Sequence, residues 1–176
     1  CWSLVGSEMC IRDRVITIGN KSNSWELDGI EFYKKQLPRN LKVEFVNIKS
    51  QQNSKLTRQE IIEAESNQII SKIKKNPYIV AWDKCGDQKS SRDFSNFLGE
   101  FTFLKKELVF IVGGSYGLSK SILEKSDDIF SASLFTFPHR LFRLLLMEQI
   151  YRAYSIINNK PLSLIHISEP TRLQQI

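Results

Sequence analysis

The sequence predicts a single α/β domain built on a parallel β-sheet with helices on both faces. Short apolar, β-branched runs alternate along the chain with segments of helical periodicity, which is the pattern of such a sheet. The 176 residues, 41% of them hydrophobic, are enough to bury one proper core and too few for two. No internal repeat or low-complexity stretch interrupts this pattern.

The first elements are predicted in chain order. The β-branched run VITI over residues 15–18 and the alternating run over residues 41–48 predict the first two strands. Between them, residues 22–37 place their apolar side chains on one helical face. Thr57 and Glu60 have the spacing of a capping box, which predicts that a second helix begins there.

The later elements continue the alternation. YIVAWD, residues 78–83, predicts the third strand and the most buried one. Ser90 and Ser91 precede a third predicted helix, and LVFIV, residues 108–112, predicts the fourth strand. The remaining predictions are a short helix over 119–125, a strand-like run over 129–135, and a long helix from Pro138 to about Asn158.

The two ends of the sequence do not share this patterning. CWSLVGSEMCIRDR and LSLIHISEPTRLQQI have no clean helix or strand period, and both resemble translated sequencing-adapter sequence. We therefore expect residues 1–14 and 162–176 to be non-native segments that pack poorly, and the domain to span residues 15–161. The last few residues before residue 15 are an exception, because they can extend the first strand by backbone pairing. The apolar start has no basic leader and no small-residue cleavage site, which argues against a signal peptide.

Composition narrows the class of protein. No apolar run reaches the ~18 residues of a membrane span, so no membrane association is expected. Three scattered cysteines without CxxC spacing and only two histidines favour neither disulfides nor a metal site, and indicate a reducing, cytoplasmic setting. The net charge of +6 fits either a polyanionic partner or a basic surface without a specific role.

A glycine-rich turn, FIVGGSYGLS, follows the fourth predicted strand. Gly113, Gly114 and Gly117 are followed by Leu118 and Ser119, so the lysine of a phosphate-binding P-loop is missing. The GGxxG pattern after a fourth strand also differs from the dinucleotide fingerprint, which opens a long helix after the first strand. From these residues alone, a tight turn beside a close helix–strand contact remains open as a purely structural explanation.

The pattern becomes specific when the glycine turn is taken with its neighbours. GGSYGL, followed by TFPHRLFRLLLMEQIYRA and preceded by ITIGNK and YIVAWD, resembles the SPOUT methyltransferases. The resemblance is strongest to the small family that N3-methylates a pseudouridine in the 23S ribosomal RNA of the large subunit (RlmH). It covers residues 15–161, nearly the whole chain apart from the two ends.

This resemblance implies an α/β domain whose C-terminal part is threaded into a deep trefoil knot. It also implies that the knot loops bind S-adenosylmethionine, a cofactor without phosphate that needs no charged clamp. The family usually has Leu where Trp82 stands, so we expect a reshaped pocket wall. Carried over by position, the cofactor contacts are Trp82, Gly113, Ala132, Ser133, Leu134, Phe135, Thr136 and Phe137.

The resemblance further implies a homodimeric enzyme that methylates 23S rRNA in the assembled ribosome. The alternative is a non-catalytic dimer that binds RNA or the ribosome without turnover. A flavodoxin-like nucleotide binder is a third and weaker interpretation of the same α/β pattern.

The last predicted helix carries the candidate catalytic residues. His139 and Arg143 are four residues apart and therefore share a helical face, where either a packing role or a role at the site is open. Glu148 and Arg152 have the same spacing, which fits a helix ion pair or the positioning of a partner subunit or RNA.

The family ends in a short tail carrying Tyr-His-Lys or Tyr-His-Arg that helps to form the catalytic site. Here NNKP, residues 158–161, leads directly into the adapter-like string. We therefore expect this chain to bind S-adenosylmethionine but to methylate ribosomes poorly.

Overall fold

The computed structural model of the protein describes residues 11–19, 22–51, 55–74 and 76–160. Strands and helices alternate through these ranges, as the sequence predicted. The strands are β1 (Ile11–Ile18), β2 (Leu41–Ile48), β3 (Tyr78–Gln88), β4 (Leu108–Val112) and β5 (Asp128–Ser131). The helices are α1 (Ser24–Lys34), α2 (Arg58–Lys72), α3 (Ser91–Leu104), α4 (Lys120–Lys125) and α5 (His139–Ile157).

The described strands form one parallel sheet in the order β2-β1-β4-β3-β5. All five residues of β4 are buried because β1 and β3 flank it. The prediction that the third strand is the most buried is therefore wrong, since only Val80 and Ala81 are buried within residues 78–83. The α/β class is confirmed, and the trefoil knot stays a prediction.

Helices cover both faces of the sheet, with a separate apolar cluster under each set. On one face, α1, α3 and α5 pack on the sheet through residues such as Ile30, Phe94 and Met147. On the other face, α2 and α4 contribute Ile69 and Ile122. Because the strands are parallel, the carboxyl ends of β1, β4 and β3 lie at the same edge of the sheet.

The first strand begins four residues earlier than predicted. Ile11 pairs with Leu41, and Asp13 is 1% exposed, with its carboxylate accepting hydrogen bonds from the Leu108 backbone N–H (3.3 Å) and the Tyr154 hydroxyl (3.2 Å). Residues 11–14 extend the first strand by main-chain pairing, as expected for the residues directly before residue 15. Residues 1–10 and 162–176 lie outside the described part of the chain.

The predicted strand over residues 129–135 is too long. β5 ends at Ser131, and the next residues form a loop in which Leu134 is 94% exposed and Phe135 is 81% exposed. The prediction was too long because this loop is apolar in composition, as a buried strand is. The helix starts were predicted more accurately, since Thr57 and Ser90 both cap their helices with full capping boxes.

Candidate functional site

A cleft of about 500 Å³ opens beside the carboxyl ends of β4 and β5 and the middle of β3. Its size is within the range of small-molecule sites, and parallel sheets commonly place ligands at this edge. Three segments meet around it: the part of β3 where its pairing with β4 ends, the glycine loop after β4, and the loop from β5 to α5. The lining residues include Trp82, Asp83, Val112, Gly113, Gly114, Tyr116, Leu118, Ala132, Ser133, Phe135, Thr136, Phe137, His139 and Phe142.

The glycine loop brings bare main chain to this cleft. A Cβ on Gly113 would lie 3.0 Å from the Gly117 carbonyl carbon and 3.0 Å from Leu118 Cγ, closer than ordinary packing. A Cβ on Gly114 would lie 3.0 Å from Glu65 Oε2. Gly117 has φ +83°, and its N–H donates to the Gly114 carbonyl at 3.0 Å, which closes a tight turn. The loop therefore has both a structural reason for its glycines and a surface free of side chains.

Trp82 forms an aromatic wall of the cleft. Its ring centroid lies 5.4 Å from that of Phe142 and 5.8 Å from that of Phe130, both in edge-on contacts. Among the described residues, its buried Nε1 has no hydrogen-bond partner. A large flat side chain thus stands where the resemblance predicted a reshaped wall.

The loop after β5 supplies the opposite wall. Five of the six predicted loop residues line the cleft, whereas Leu134 does not and points into solvent. The Phe135 N–H donates to Ser133 Oγ at 3.0 Å, which helps to fix the loop. The assignment of Leu134 as a cofactor contact is therefore not supported by its side-chain position.

His139 lies where the cleft meets the start of α5. It is half-buried, and burial together with the neighbouring charge of Arg143 lowers its pKa, against a smaller opposing effect of Glu65. A pKa below the ordinary 6.5 leaves the imidazole neutral at pH 7. A neutral imidazole can accept a proton or a hydrogen bond from a ligand in the cleft.

Arg143 does not line this cleft, in contrast to its predicted catalytic role. Its Nε lies 2.6 Å from Glu26 Oε1 of α1, and both side chains are almost completely buried. The contact is an ion pair and not a hydrogen bond. Neither Arg143 Nε nor Glu26 Oε1 has a hydrogen-bond partner among the described residues. Burial lowers the pKa of Arg143, and the Glu26 carboxylate raises it. Arg143 therefore joins α1 to α5, one turn beyond His139.

The Glu148–Arg152 pair has the geometry of the predicted helix ion pair. Arg152 Nη2 and Nε donate to Glu148 Oε1 at 2.7 and 2.9 Å, with both side chains partly exposed. A single helix contact of this kind contributes a few tenths of a kcal/mol. The alternative roles toward a partner subunit or RNA stay predictions.

Sequence reasoning missed several side chains of the cleft, among them Arg58, Asp83 and Tyr116. Asp83 directly follows Trp82 at the carboxyl end of a predicted strand. Ligands commonly bind at such strand ends, so this position could have identified Asp83 as a site residue. Arg58 comes from the start of α2, which no sequence pattern connects to the glycine loop. Within the described residues, no cluster of three metal-ligating side chains occurs, and no helix is long and apolar enough to cross a membrane.

Comparison with known proteins identifies the family of this chain. The chain matches the family described as "Predicted SPOUT methyltransferase" over residues 11–162. It is 38% identical over 152 residues to the ribosomal RNA large subunit methyltransferase H of Clostridium beijerinckii, covering 84% of this chain and 96% of that protein. The same-named protein of Caldicellulosiruptor bescii is 39% identical over 145 residues, covering 82% of this chain and 94% of that protein.

A solved structure shares the fold. The probable methylase family protein from Haemophilus influenzae Rd KW20 superposes with a TM-score of 0.51 at 10% sequence identity, covering 85% of this chain and 67% of that one. The family match over residues 11–162 shows that the chain belongs to the SPOUT methyltransferase family. Over nearly the whole domain it is similar to proteins named ribosomal RNA large subunit methyltransferase H.

Proposed function

We propose that this protein transfers a methyl group from S-adenosylmethionine to N3 of a pseudouridine in 23S rRNA of the assembled ribosome. One observation carries the proposal. The side chains assigned to the methyl donor, apart from Leu134, meet in one cleft of a chain that matches rRNA methyltransferases over nearly their whole length. On this proposal, the protein works in the cytoplasm, where ribosomes are found.

The cleft suits this methyl donor physically. Trp82, Val112 and Phe142 offer flat apolar surface for an adenine ring, and the glycine loop lets main-chain groups approach the ligand closely. Asp83 is the one carboxylate among the described lining residues, and it suits a ligand with hydroxyl and ammonium groups. These residues fit S-adenosylmethionine, which would supply a methyl group activated on a sulfonium.

His139 is the residue best placed to handle a proton. The acceptor nitrogen must lose its proton to become a strong nucleophile, and a neutral imidazole at the cleft can accept it. Arg143 acts through position: its ion pair with Glu26 fixes the first turns of α5 and with them the His139 backbone. Much of the rate gain would then come from holding donor and acceptor in line.

Two measurements test the proposal. Isothermal titration with S-adenosylmethionine should show one site per chain, and incubation with tritiated donor should label 23S rRNA in ribosomes that lack the modification. Labelling that is equal on ribosomes already carrying the modification would contradict the assigned target. Absence of donor binding would contradict the cleft assignment.

A non-catalytic ribosome-binding protein is the second candidate. It is favoured by the sequence after Asn158–Pro161, which lacks the Tyr-His-Lys ending that the family resemblance implies for the catalytic site. Under this alternative the chain binds unmodified ribosomes but transfers no methyl group even after prolonged incubation. The two candidates share the fold, so only turnover distinguishes them.

We also propose that the protein is a homodimer. Leu134, Phe135 and Leu141 are exposed together around the start of α5, at 94%, 81% and 39%. Apolar side chains grouped in this way are typical of an interface. Analytical ultracentrifugation at micromolar concentration should show a dimer, and a Leu134→Asp, Phe135→Asp variant should sediment as a monomer.

A further inference from the structure

Tyr116 occupies the tip of the glycine turn at the rim of the cleft. The turn from Gly114 to Gly117 is closed by the 3.0 Å backbone hydrogen bond and by an isolated β-bridge between the same two residues. Both ends of the turn are therefore fixed. Tyr116 is 38% exposed, whereas Val112 and Gly113 deeper in the cleft are buried. A rigid main chain thus presents an aromatic ring outward at the mouth of the site.

Arg58 supports this ring from α2. Its guanidinium carbon lies 5.6 Å from the Tyr116 ring centroid, which is cation–π distance, and its Nη2 donates to the Tyr116 carbonyl at 3.5 Å. Arg58 is the first residue of α2, which the Thr57 capping box holds in place. The two side chains therefore form one unit with a positive charge beside an exposed π surface.

The physical character of this unit suits an unpaired nucleobase. Single-stranded RNA is bound by stacking its splayed bases on aromatic side chains, and a neighbouring cation attracts both the ring system and the phosphates. Lys84 adds a second exposed cation on the same cleft. A ring that is already fixed by its turn and by Arg58 loses little further freedom when a base stacks on it.

We propose that Tyr116, supported by Arg58, is a stacking platform for a nucleobase of the substrate RNA at the rim of the methyl-donor cleft. This inference rests on the proposed function, because it assumes that RNA reaches the cleft. It makes Tyr116 a positioning residue for the acceptor strand and assigns it no part in donor binding.

The test compares four single variants of the full chain. Tyr116→Ala removes the ring, Tyr116→Leu keeps an apolar side chain without a π surface, and Tyr116→Phe keeps the π surface. Arg58→Gln removes the supporting cation. For each variant, co-sedimentation at physiological salt gives the Kd for ribosomes that lack the modification, and isothermal titration gives the Kd for S-adenosylmethionine.

We expect the ribosome Kd to rise about 5- to 150-fold in Tyr116→Ala and Tyr116→Leu, the range for losing one stacked base. Tyr116→Phe should stay within about twofold of the unchanged chain, and Arg58→Gln should weaken binding about two- to fivefold, the range for one cation–π contact. The Kd for S-adenosylmethionine should change much less than the ribosome Kd in all of them, because both side chains are exposed at the rim of the cleft.

Each contrary result has a distinct meaning. Ribosome binding that is unchanged in Tyr116→Ala would overturn the platform while leaving the proposed function intact. An S-adenosylmethionine Kd that rises as much as the ribosome Kd in Tyr116→Ala would assign the ring to the donor, and a changed sedimentation coefficient of the free protein would assign it to a subunit contact; either would overturn the proposal. If the unchanged chain itself does not bind ribosomes, the proposed function fails and the platform fails with it.

Discussion

Gly113 tests the cleft at the scale of a single residue. Its Cβ position is already 3.0 Å from two heavy atoms, so a branched side chain would force Gly117 and Leu118, which line the cleft, to move. We expect Gly113→Val to abolish S-adenosylmethionine binding in isothermal titration while circular dichroism still reports a folded protein. Gly99→Ala is the matched control, because its Cβ would meet only Ile157 at 3.8 Å. Equal affinity in both variants would remove the donor site from this cleft.

Asp13 makes stability depend on pH in an unusual direction. Burial raises the pKa of its carboxyl from 3.8 to about 6, although hydrogen bonds from Leu108 and Tyr154 oppose the shift. The folded state therefore prefers the protonated form, so the stability that Asp13 contributes is fully present below about pH 4 and is lost as the pH rises through about 6. The difference corresponds to about 3 kcal/mol.

Urea unfolding from pH 4 to pH 8 measures this effect against Asp13→Asn, which keeps the shape of the side chain but cannot ionise. The free energy of unfolding of the unchanged chain should fall by about 3 kcal/mol relative to the variant over this range. Parallel pH profiles for the two proteins would show that Asp13 does not titrate as a buried group.

At the scale of elements, one ion pair joins α1 to α5. Removing one partner of a buried pair leaves the other charge uncompensated, which typically costs about 3–5 kcal/mol. We expect Glu26→Gln to lower the free energy of unfolding by that amount, and Glu26→Gln with Arg143→Met to recover most of it. Glu31→Gln is the control on the same helix, since its pair with Lys34 is exposed and should contribute less than about 1 kcal/mol.

Chemical denaturation of these variants checks the expectation. If Glu26→Gln is as stable as Glu31→Gln, the buried pair does not hold the two helices together. If Glu26→Gln with Arg143→Met keeps full stability but loses methyl transfer, the result would support a catalytic role for Arg143.

Elements were predictable where the signal is local. Hydrophobic period and capping spacing located the helices after Thr57 and Ser90, because both signals involve neighbours in sequence. The pattern failed where burial depends on distant partners. Leu134 and Phe135 are apolar, and residues 132–135 were therefore predicted as part of a strand, but both side chains are exposed. The ion pair of Arg143 with Glu26 is not indicated by any local pattern, because Glu26 belongs to another element.

At the scale of the whole molecule, the sheet order assembles the cleft. β3, β4 and β5 are adjacent in space, so their carboxyl ends bring the predicted donor residues together from distant parts of the chain. Hydrophobic periodicity does not indicate the order of the strands in the sheet. The resemblance of the motifs to a known family indicated which residues meet in the cleft. The positions of Arg58 and Tyr116 relative to each other depend on how α2 packs beside β1, β2 and α4, which only the three-dimensional arrangement shows.

The sequence after Pro161 leads to a prediction about activity. A missing catalytic or positioning group typically costs about 100- to 10,000-fold in rate, whereas the donor contacts lie upstream and should be little affected. Replacing the sequence after Pro161 with a Tyr-His-Lys ending should therefore raise methyl transfer by that factor with unchanged S-adenosylmethionine affinity. The assay is tritium transfer to unmodified ribosomes by both forms. Equal rates would show that the tail is dispensable.

The fluorescence of Trp82 can report ligand binding in the cleft. The chain has three tryptophans, and of the two others Trp25 is 48% exposed while Trp2 lies outside the described residues. Changing Trp2 and Trp25 to Phe would leave a single emitter, whose indole ring forms part of the cleft wall between Phe130 and Phe142. A ligand that enters the cleft would displace water from that ring and change its emission. Binding could then be followed in real time on the unlabelled protein.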